Sequence, residues 1–151
     1  MWGFNICYLA LYIAKSYPLA FALIFLIAWL GSSWLIGNIS GWRSLATIYP
    51  LVKSFPKKKW SSQSAQMHWF GFYNNCLNFG VDTEGVYISI WPLFRVGHPP
   101  LFIPWSDISV RERKSVIFTF IEFEFKGLPS IPLRISKRLY EPLVKARAKT
   151  S

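Results

Sequence analysis

The sequence predicts a membrane-anchored α+β protein, with one N-terminal transmembrane helix followed by a small antiparallel seven-stranded sheet or barrel and a C-terminal helix. Three observations predict this class. The run from Ser16 to Trp42 carries no charge. From Ser64 onward, hydrophobic residues alternate in short segments separated by turn signals, which is typical of strands. After Ile135 the spacing of the apolar residues becomes helical again.

The uncharged run is long enough to cross a membrane. A helix from Tyr17 to Ile39 would be about 35 Å long, whereas the hydrocarbon core of a bilayer is about 30 Å thick. A core helix of a soluble domain is rarely apolar all round at this length. We therefore assign residues 1–39 to an N-terminal apolar segment and a transmembrane helix. Residues 2–14 either cross the membrane, lie on it or extend the helix, with a bend at Pro18.

The charges that flank the helix predict its orientation. Lys15 and the amino terminus precede it. Basic residues follow it before any acidic one: Arg43, Lys53, Lys57, Lys58 and Lys59. By the positive-inside bias, the C-terminal part lies in the cytoplasm, so we expect a single-pass protein of the inner or plasma membrane. Cys7 and Cys76 lie far apart and indicate no disulfide framework.

Residues 40–63 are predicted to form a juxtamembrane linker. Trp42, Leu45 and Ile48 recur at helical spacing between a possible N-cap at Ser40 and a stop at Pro50, which predicts a short amphipathic helix in the lipid headgroup region. Aromatic and basic side chains are expected to contact anionic lipid here: Trp42, Arg43, Lys53, Lys57, Lys58, Lys59 and Trp60. Each juxtamembrane basic residue contributes roughly 1 kcal/mol at a charged leaflet. A solvated flank without lipid selectivity is the alternative.

Residues 64–151 are predicted to form a cytoplasmic domain. The alternating segments predict strands at Gln66–Gly71, Asn74–Val81, Val86–Trp91, Leu101–Ile108, Ser109–Lys114, Val116–Gly127 and Ile131–Ile135. Asp82–Gly85 is typical of a type I turn between two of them.

The C-terminal segment predicts an amphipathic helix. Leu139, Leu143 and Ala146 form its apolar stripe, and Ser136 is a possible N-cap. Because proline is unfavourable in a helix interior and tolerated in the first turn, we expect the regular part to begin near Tyr140, with Pro142 in that turn.

Seven strands followed by one helix is the order of a pleckstrin-homology (PH) barrel. The segments Asp82–Tyr87 (D-x-x-G-V-Y) and Ile103–Ile108 (I-P-W-S-D-I) resemble those of bacterial PH-like and GRAM-like domains that are tethered to membranes. The phrase FRVGHPPLFIPW is similar to that of uncharacterised small bacterial membrane proteins. The resemblance covers about Ser64–Lys149. It implies a partly splayed barrel with the helix at one end and a role in lipid or protein binding, but it supplies no phosphoinositide-binding residues.

No pattern in the sequence indicates catalysis. His68 and His98 have no Cys, Asp or Glu at metal-ligand spacing, and a structural hydrogen bond is favoured for His98. Cys76 lies in an apolar strand pattern that favours a packed thiol. Glu122 and Glu124 alternate onto one strand face, which is typical of a solvated surface. We therefore predict a protein that is not an enzyme and needs no cofactor or metal.

The basic excess favours a lipid surface as partner. The chain has 17 Lys and Arg against 7 Asp and Glu, and all but Lys15 of these basic residues follow residue 40. They do not form one face interleaved with aromatic residues, and a membrane tether makes anionic headgroups the nearest polyanion, so no nucleic acid partner is predicted.

Two functions remain open. The first is a binding or scaffold protein whose PH-like domain contacts the membrane surface and a protein partner, with these candidate partner-binding residues: Arg95, His98, Arg111 and Arg113. The second is an accessory single-pass subunit of a large bioenergetic (photosynthetic or respiratory) or transport complex. In that case small residues would allow close packing of partner helices: Gly31, Ser32, Ser33 and Gly37.

Overall fold

The computed structural model describes residues 6–57, 59–68, 71–114 and 117–150. The helices are α1 (Ile6–Ser16), α2 (Pro18–Ile39), α3 (Trp42–Ile48) and α4 (Lys137–Thr150). The strands are β1 (Lys59–Met67), β2 (Gly71–Val81), β3 (Gly85–Ile90), β4 (Leu101–Pro104), β5 (Ile108–Lys114), β6 (Thr119–Phe125) and β7 (Leu133–Ser136). The chain forms two compact units, Met1–Ser32 and Ser33–Ser151.

Helix α2 has the length and composition that the sequence predicts. It is a helix of 22 residues with a mean hydropathy of 2.2, and only 6% of its most apolar window is buried. Among the described residues it is the one helix long and apolar enough to cross a membrane. Helix α1 ends at Ser16 and α2 begins at Pro18. This break fits proline at the first helical position, where its missing N–H costs no hydrogen bond.

The strands form one curled antiparallel sheet in the order β4-β3-β2-β1-β7-β6-β5. Strands that follow each other in the chain are neighbours, except β4 and β5, which form the two edges. The halves are joined by β1 and β7, where Ala65 pairs with Ile135 and Met67 pairs with Leu133. The prediction of a small antiparallel sheet of seven strands with a C-terminal helix is confirmed.

The hydrophobic core joins one face of the sheet to α3 and α4. Leu139, Leu143 and Ala146 of α4 are buried in it, as their spacing predicts. Helix α4 begins at Lys137, earlier than predicted. Ser136, the possible N-cap that the sequence offered, accepts a hydrogen bond from the Leu139 N–H at 3.2 Å. Pro142 therefore lies inside the helix and not in its first turn.

The first strand and the domain boundary differ from the prediction. Strand β1 begins at Lys59, before the predicted Gln66, and its register with β2 shifts twice between Trp60 and Ala65. These irregularities break the alternation on which a sequence-based prediction depends. Residues 40–63 are consequently not a separate linker, because α3 and the start of β1 belong to the same compact unit as the sheet.

The predicted strand Leu101–Ile108 is interrupted after Pro104 by a short 3-10 turn, Trp105–Asp107. The Trp105 indole donates a hydrogen bond to the Asp82 carbonyl at 3.0 Å, and its backbone N–H donates to the Glu84 carbonyl at 3.0 Å. These two bonds tie the turn to the β2–β3 connection, so the chain leaves β4 there and starts β5. Val116 of one predicted strand, and Trp69 and Phe70 of another, lie outside the described residues.

Candidate membrane-surface site

Helix α3 packs its apolar face into the core of the protein. Trp42 and Leu45 are fully buried. The Trp42 indole donates a hydrogen bond to the Pro99 carbonyl at 2.7 Å, and its ring lies 5.3 Å from that of Tyr73. The prediction that Trp42 contacts lipid, with α3 lying in the headgroup region on its apolar face, is therefore wrong. The helix and its pattern were predicted, but the chain's own sheet covers that face.

A series of buried hydrogen bonds lies next to Trp42 at the start of α3. The Tyr73 hydroxyl lies 2.8 Å from Ser40 Oγ and 3.0 Å from His98 Nε2, while His98 Nδ1 lies 3.2 Å from the Val96 carbonyl oxygen. Because that carbonyl only accepts, Nδ1 of the neutral ring carries the hydrogen. Nε2 then accepts from Tyr73, which in turn accepts from Ser40.

The buried setting of these hydrogen bonds keeps the His98 imidazole and the Tyr73 phenol uncharged. Burial lowers the pKa of His98 and raises the pKa of Tyr73 to about 12. His98 is only 2% exposed, so the prediction that it binds a partner is wrong. The structural hydrogen bond that the sequence favoured for His98 is present, with Tyr73 as its side-chain partner.

Two of the predicted helix-packing residues contact the chain's own β3–β4 loop (residues 91–100). The Ser33 hydroxyl lies 3.0 Å from the Phe94 carbonyl oxygen and 2.9 Å from that of Val96. A Cβ atom on Gly37 would lie 2.3 Å from the Gly97 carbonyl oxygen. Both residues are buried, so the prediction that they pack against a partner helix is wrong.

The other two small residues of α2 make no such contact. A Cβ atom on Gly31 would have nothing within 4 Å beyond its own helix. The Ser32 hydroxyl is exposed and donates to the Ala28 carbonyl at 2.7 Å. A role for Gly31 and Ser32 in packing against a partner helix stays a prediction.

Four basic residues line two neighbouring cavities of about 470 and 570 Å³ that share Arg95 and Pro100. The first is also lined by Lys57 and Lys59, and the second by Arg43 and by Trp34 of α2. We call this surface the basic groove; its cations are Arg43, Lys57, Lys59 and Arg95. All four are exposed, and no acidic residue is found among the described side chains that line the cavities. Guanidinium and ammonium groups arranged in this way suit phosphate or carboxylate ligands.

Several predicted binding residues lie outside the groove. Lys53 forms an ion pair with Glu84 and lies 5.7 Å from the centre of the Phe102 ring. Trp60 is half-buried and packs against the core. On strand β5, Arg111 pairs with Glu124 at 3.1 Å. Lys58 lies outside the described residues. The sequence therefore predicted Arg43, Lys57, Lys59 and Arg95 as site residues, but not that they share one surface.

Glu122 is the ionisable residue whose setting the sequence did not indicate. It is 3% exposed and contacts Arg134 at 2.7 Å and Arg113 at 3.4 Å. The hydrogen bond from Arg134 is the largest cause that lowers the pKa of Glu122. The expected solvated face is thus wrong for this residue, because β5 and β7 place an arginine on each side of it. Only the strand register, which local spacing does not define, could have shown this.

Comparisons with protein-family models, with characterised proteins and with solved structures find no significant match to this chain. Within residues 6–57, 59–68, 71–114 and 117–150, no three His, Cys, Asp or Glu side chains form a group that could hold a metal ion. The class that fold and site define is a protein with an apolar helix suited to a membrane, a curled β-sheet and a basic groove at the last turns of that helix.

Proposed function

We propose that this protein is a membrane-anchored, non-enzymatic binding protein whose basic groove binds the phosphate groups of anionic lipids. The position of Arg95 carries this proposal. Its side chain lines both cavities, together with Lys57 and Lys59 in one and with Arg43 and Trp34 in the other. A cationic surface is thereby attached to the apolar helix that would cross the bilayer.

The length of α2 supports a groove at the level of the headgroups. A helix of 22 residues is about 33 Å long, close to the thickness of the hydrocarbon core. Trp34 lies five residues before the helix ends at Ile39, and tryptophan prefers the interface between hydrocarbon and water. The basic excess after α2 favours the cytoplasmic leaflet of the inner or plasma membrane, where each basic residue gains roughly 1 kcal/mol from anionic lipid.

The strand order and the packing of α4 support the resemblance to PH-like domains. In the proposed arrangement the sheet is a scaffold with two edges. The Tyr49–Leu51 segment covers β4 through hydrogen bonds to Phe102 and Pro100, whereas β5 carries exposed Arg111 and Arg113. We propose the β5 edge, with these two arginines, as the surface for a protein partner that carries acidic groups.

Lipid retention by the full-length chain tests the proposal. The protein is reconstituted with equimolar phosphatidylglycerol and phosphatidylcholine, and bound lipids are counted by native mass spectrometry. The groove variant combines Arg43→Gln, Lys57→Gln and Arg95→Gln. Its matched control, Lys126→Gln, Arg138→Gln and Lys145→Gln, removes the same charge from exposed positions outside the groove.

We expect the wild type and the control to retain phosphatidylglycerol preferentially and the groove variant to lose this preference. Equal retention of both lipids by the wild type, or the same loss in both variants, would overturn the proposal. The same spectra test the second function. A stoichiometric heavy assembly in protein purified from its own membrane would favour an accessory subunit, for which Gly31 and Ser32 remain open on α2.

A further inference from the structure

We infer that the β3–β4 loop is a wedge inserted into the membrane, with Leu93 and Val96 at the boundary between headgroups and acyl chains. This inference rests on the proposed function in one respect, which is that α2 spans the bilayer. It adds a second contact with lipid, made by apolar side chains of the compact unit that contains the sheet, Ser33–Ser151.

The loop exposes apolar side chains on both sides of a charge. Trp91 is 40% exposed, Leu93 66% and Val96 41%, and Arg95 stands between the last two. Phe94 of the same loop is partly buried and packs against the hydrophobic core. A short segment that exposes several apolar side chains and one cation, on a structured backbone, is suited to the interface of an anionic membrane.

Contacts with α2 set the depth of the loop. The Ser33 hydroxyl holds the carbonyls of Phe94 and Val96 at 3.0 and 2.9 Å. Ser33 precedes Ile39, the last residue of α2, by six residues, which is about 9 Å along a helix axis. The loop is therefore held about 9 Å before the C-terminal end of α2, in the direction of the segment that is proposed to span the bilayer. This is within the range of about 5–10 Å to which interfacial apolar residues are buried.

The last turns of α2 also expose apolar side chains. Trp34, Leu35 and Ile36 are each about half exposed, at 49%, 51% and 46%. Ile36 also lines a cavity of about 180 Å³ with Phe94 of the loop and with Phe72 of β2, which is 64% exposed. Exposed apolar side chains of the helix and of the strand, Ile36 and Phe72, thus lie next to the base of the loop at Phe94, and lipid is the solvent that suits them.

Depth-dependent fluorescence tests the wedge in the full-length chain. In a Cys7→Ser, Cys76→Ser background, single cysteines replace Leu93 or Ile117 and are labelled with an environment-sensitive nitrobenzoxadiazole dye. Ile117 is the matched control, because it is apolar and 79% exposed but lies in the β5–β6 connection. Vesicles contain lipids with nitroxide quenchers at a shallow or a deep position.

We expect the label at position 93 to emit at shorter wavelength than in water and to be quenched most by the shallow nitroxide. The label at position 117 should emit as in water. Emission as in water from both positions would overturn the inference. If the cysteine-free background does not fold, a photo-crosslinking amino acid at position 93 of the otherwise unchanged chain should form lipid adducts, and one at position 117 should not.

The two proposals fail separately. Insertion of position 93 without a preference for phosphatidylglycerol would leave the wedge in place and reject the anionic groove. A preference for phosphatidylglycerol with position 93 in water would reject the wedge alone.

Discussion

Gly37 of α2 and Gly97 of the β3–β4 loop approach each other so closely that neither position has room for a side chain. A Cβ atom on Gly37 would lie 2.3 Å from the Gly97 carbonyl oxygen, and one on Gly97 would lie 2.8 Å from the Cα atom of Trp34. Gly97 also has a φ of +81°, in the left-handed region that favours glycine. This contact is what brings the loop, and Arg95 with it, to the end of α2.

Substitution of either glycine should therefore destabilise the protein, whereas substitution of Gly31 should not. We expect Gly37→Ala and Gly97→Ala to lower the free energy of unfolding by about 1–3 kcal/mol, because backbone atoms must move apart. Gly31→Ala meets no atom within 4 Å and improves helix propensity. Thermal unfolding of the three variants in one detergent is the measurement, and equal effects at all three positions would contradict the prediction.

Substitution of the two tryptophans at the end of α2 and the start of α3 should change stability by very different amounts. Trp42 is fully buried and Trp34 is 49% exposed. Trp42→Ala should cost about 3–5 kcal/mol of stability, the usual range for removing a large side chain from a core. Trp34→Ala should leave unfolding nearly unchanged, as measured by denaturant titration in detergent. A Trp42→Ala variant as stable as the wild type would show that this indole is not a core residue.

His98 should make stability depend on pH near neutrality. Burial lowers its pKa in the folded state below the ordinary 6.5, so the unfolded chain binds the proton more readily. Stability from this group is complete above about pH 6.5 and decreases as the pH falls toward the lower folded pKa. His98→Gln keeps a hydrogen-bonding side chain without titration. Melting temperatures at pH 5 and 7.5 should therefore differ less for His98→Gln than for the wild type; an unchanged difference would argue against a buried neutral imidazole.

Glu122 should also make the protein less stable as the pH falls, but in a lower pH range than His98. The bond from Arg134 lowers its pKa below the ordinary 4.5, so the pair contributes fully above about pH 4.5 and is lost as the pH falls through the lowered value. Glu122→Gln should cost about 1–3 kcal/mol at neutral pH and progressively less in acid. Unfolding titrations at several pH values check this, with the exposed Glu141→Gln as control; a constant difference across the series would refute it.

Local periodicity was enough for part of this architecture. The apolar run predicted α2 to within one residue at its start. Alternation indicated a segment of every strand, although only β3 and β5 have bounds within one residue of the predicted ones. The stripe of Leu139, Leu143 and Ala146 predicted the buried face of α4. These features depend on residues that are neighbours in the chain, so their spacing carries the information.

Only the tertiary structure decided what covers each surface. The local sequence around Trp42 and Ser33 is the same whether lipid, a partner helix or another part of the chain lies against them. In this structure other parts of the chain bury both residues, and the β3–β4 loop forms hydrogen bonds with each. Arg43, Lys57 and Arg95 meet at one groove because the β3–β4 loop returns to the end of α2. The sequence by itself determined which segments are helix and strand, because hydrogen bonding and burial within an element are local. Contacts between distant segments arise only when the chain folds, and these contacts built the candidate site.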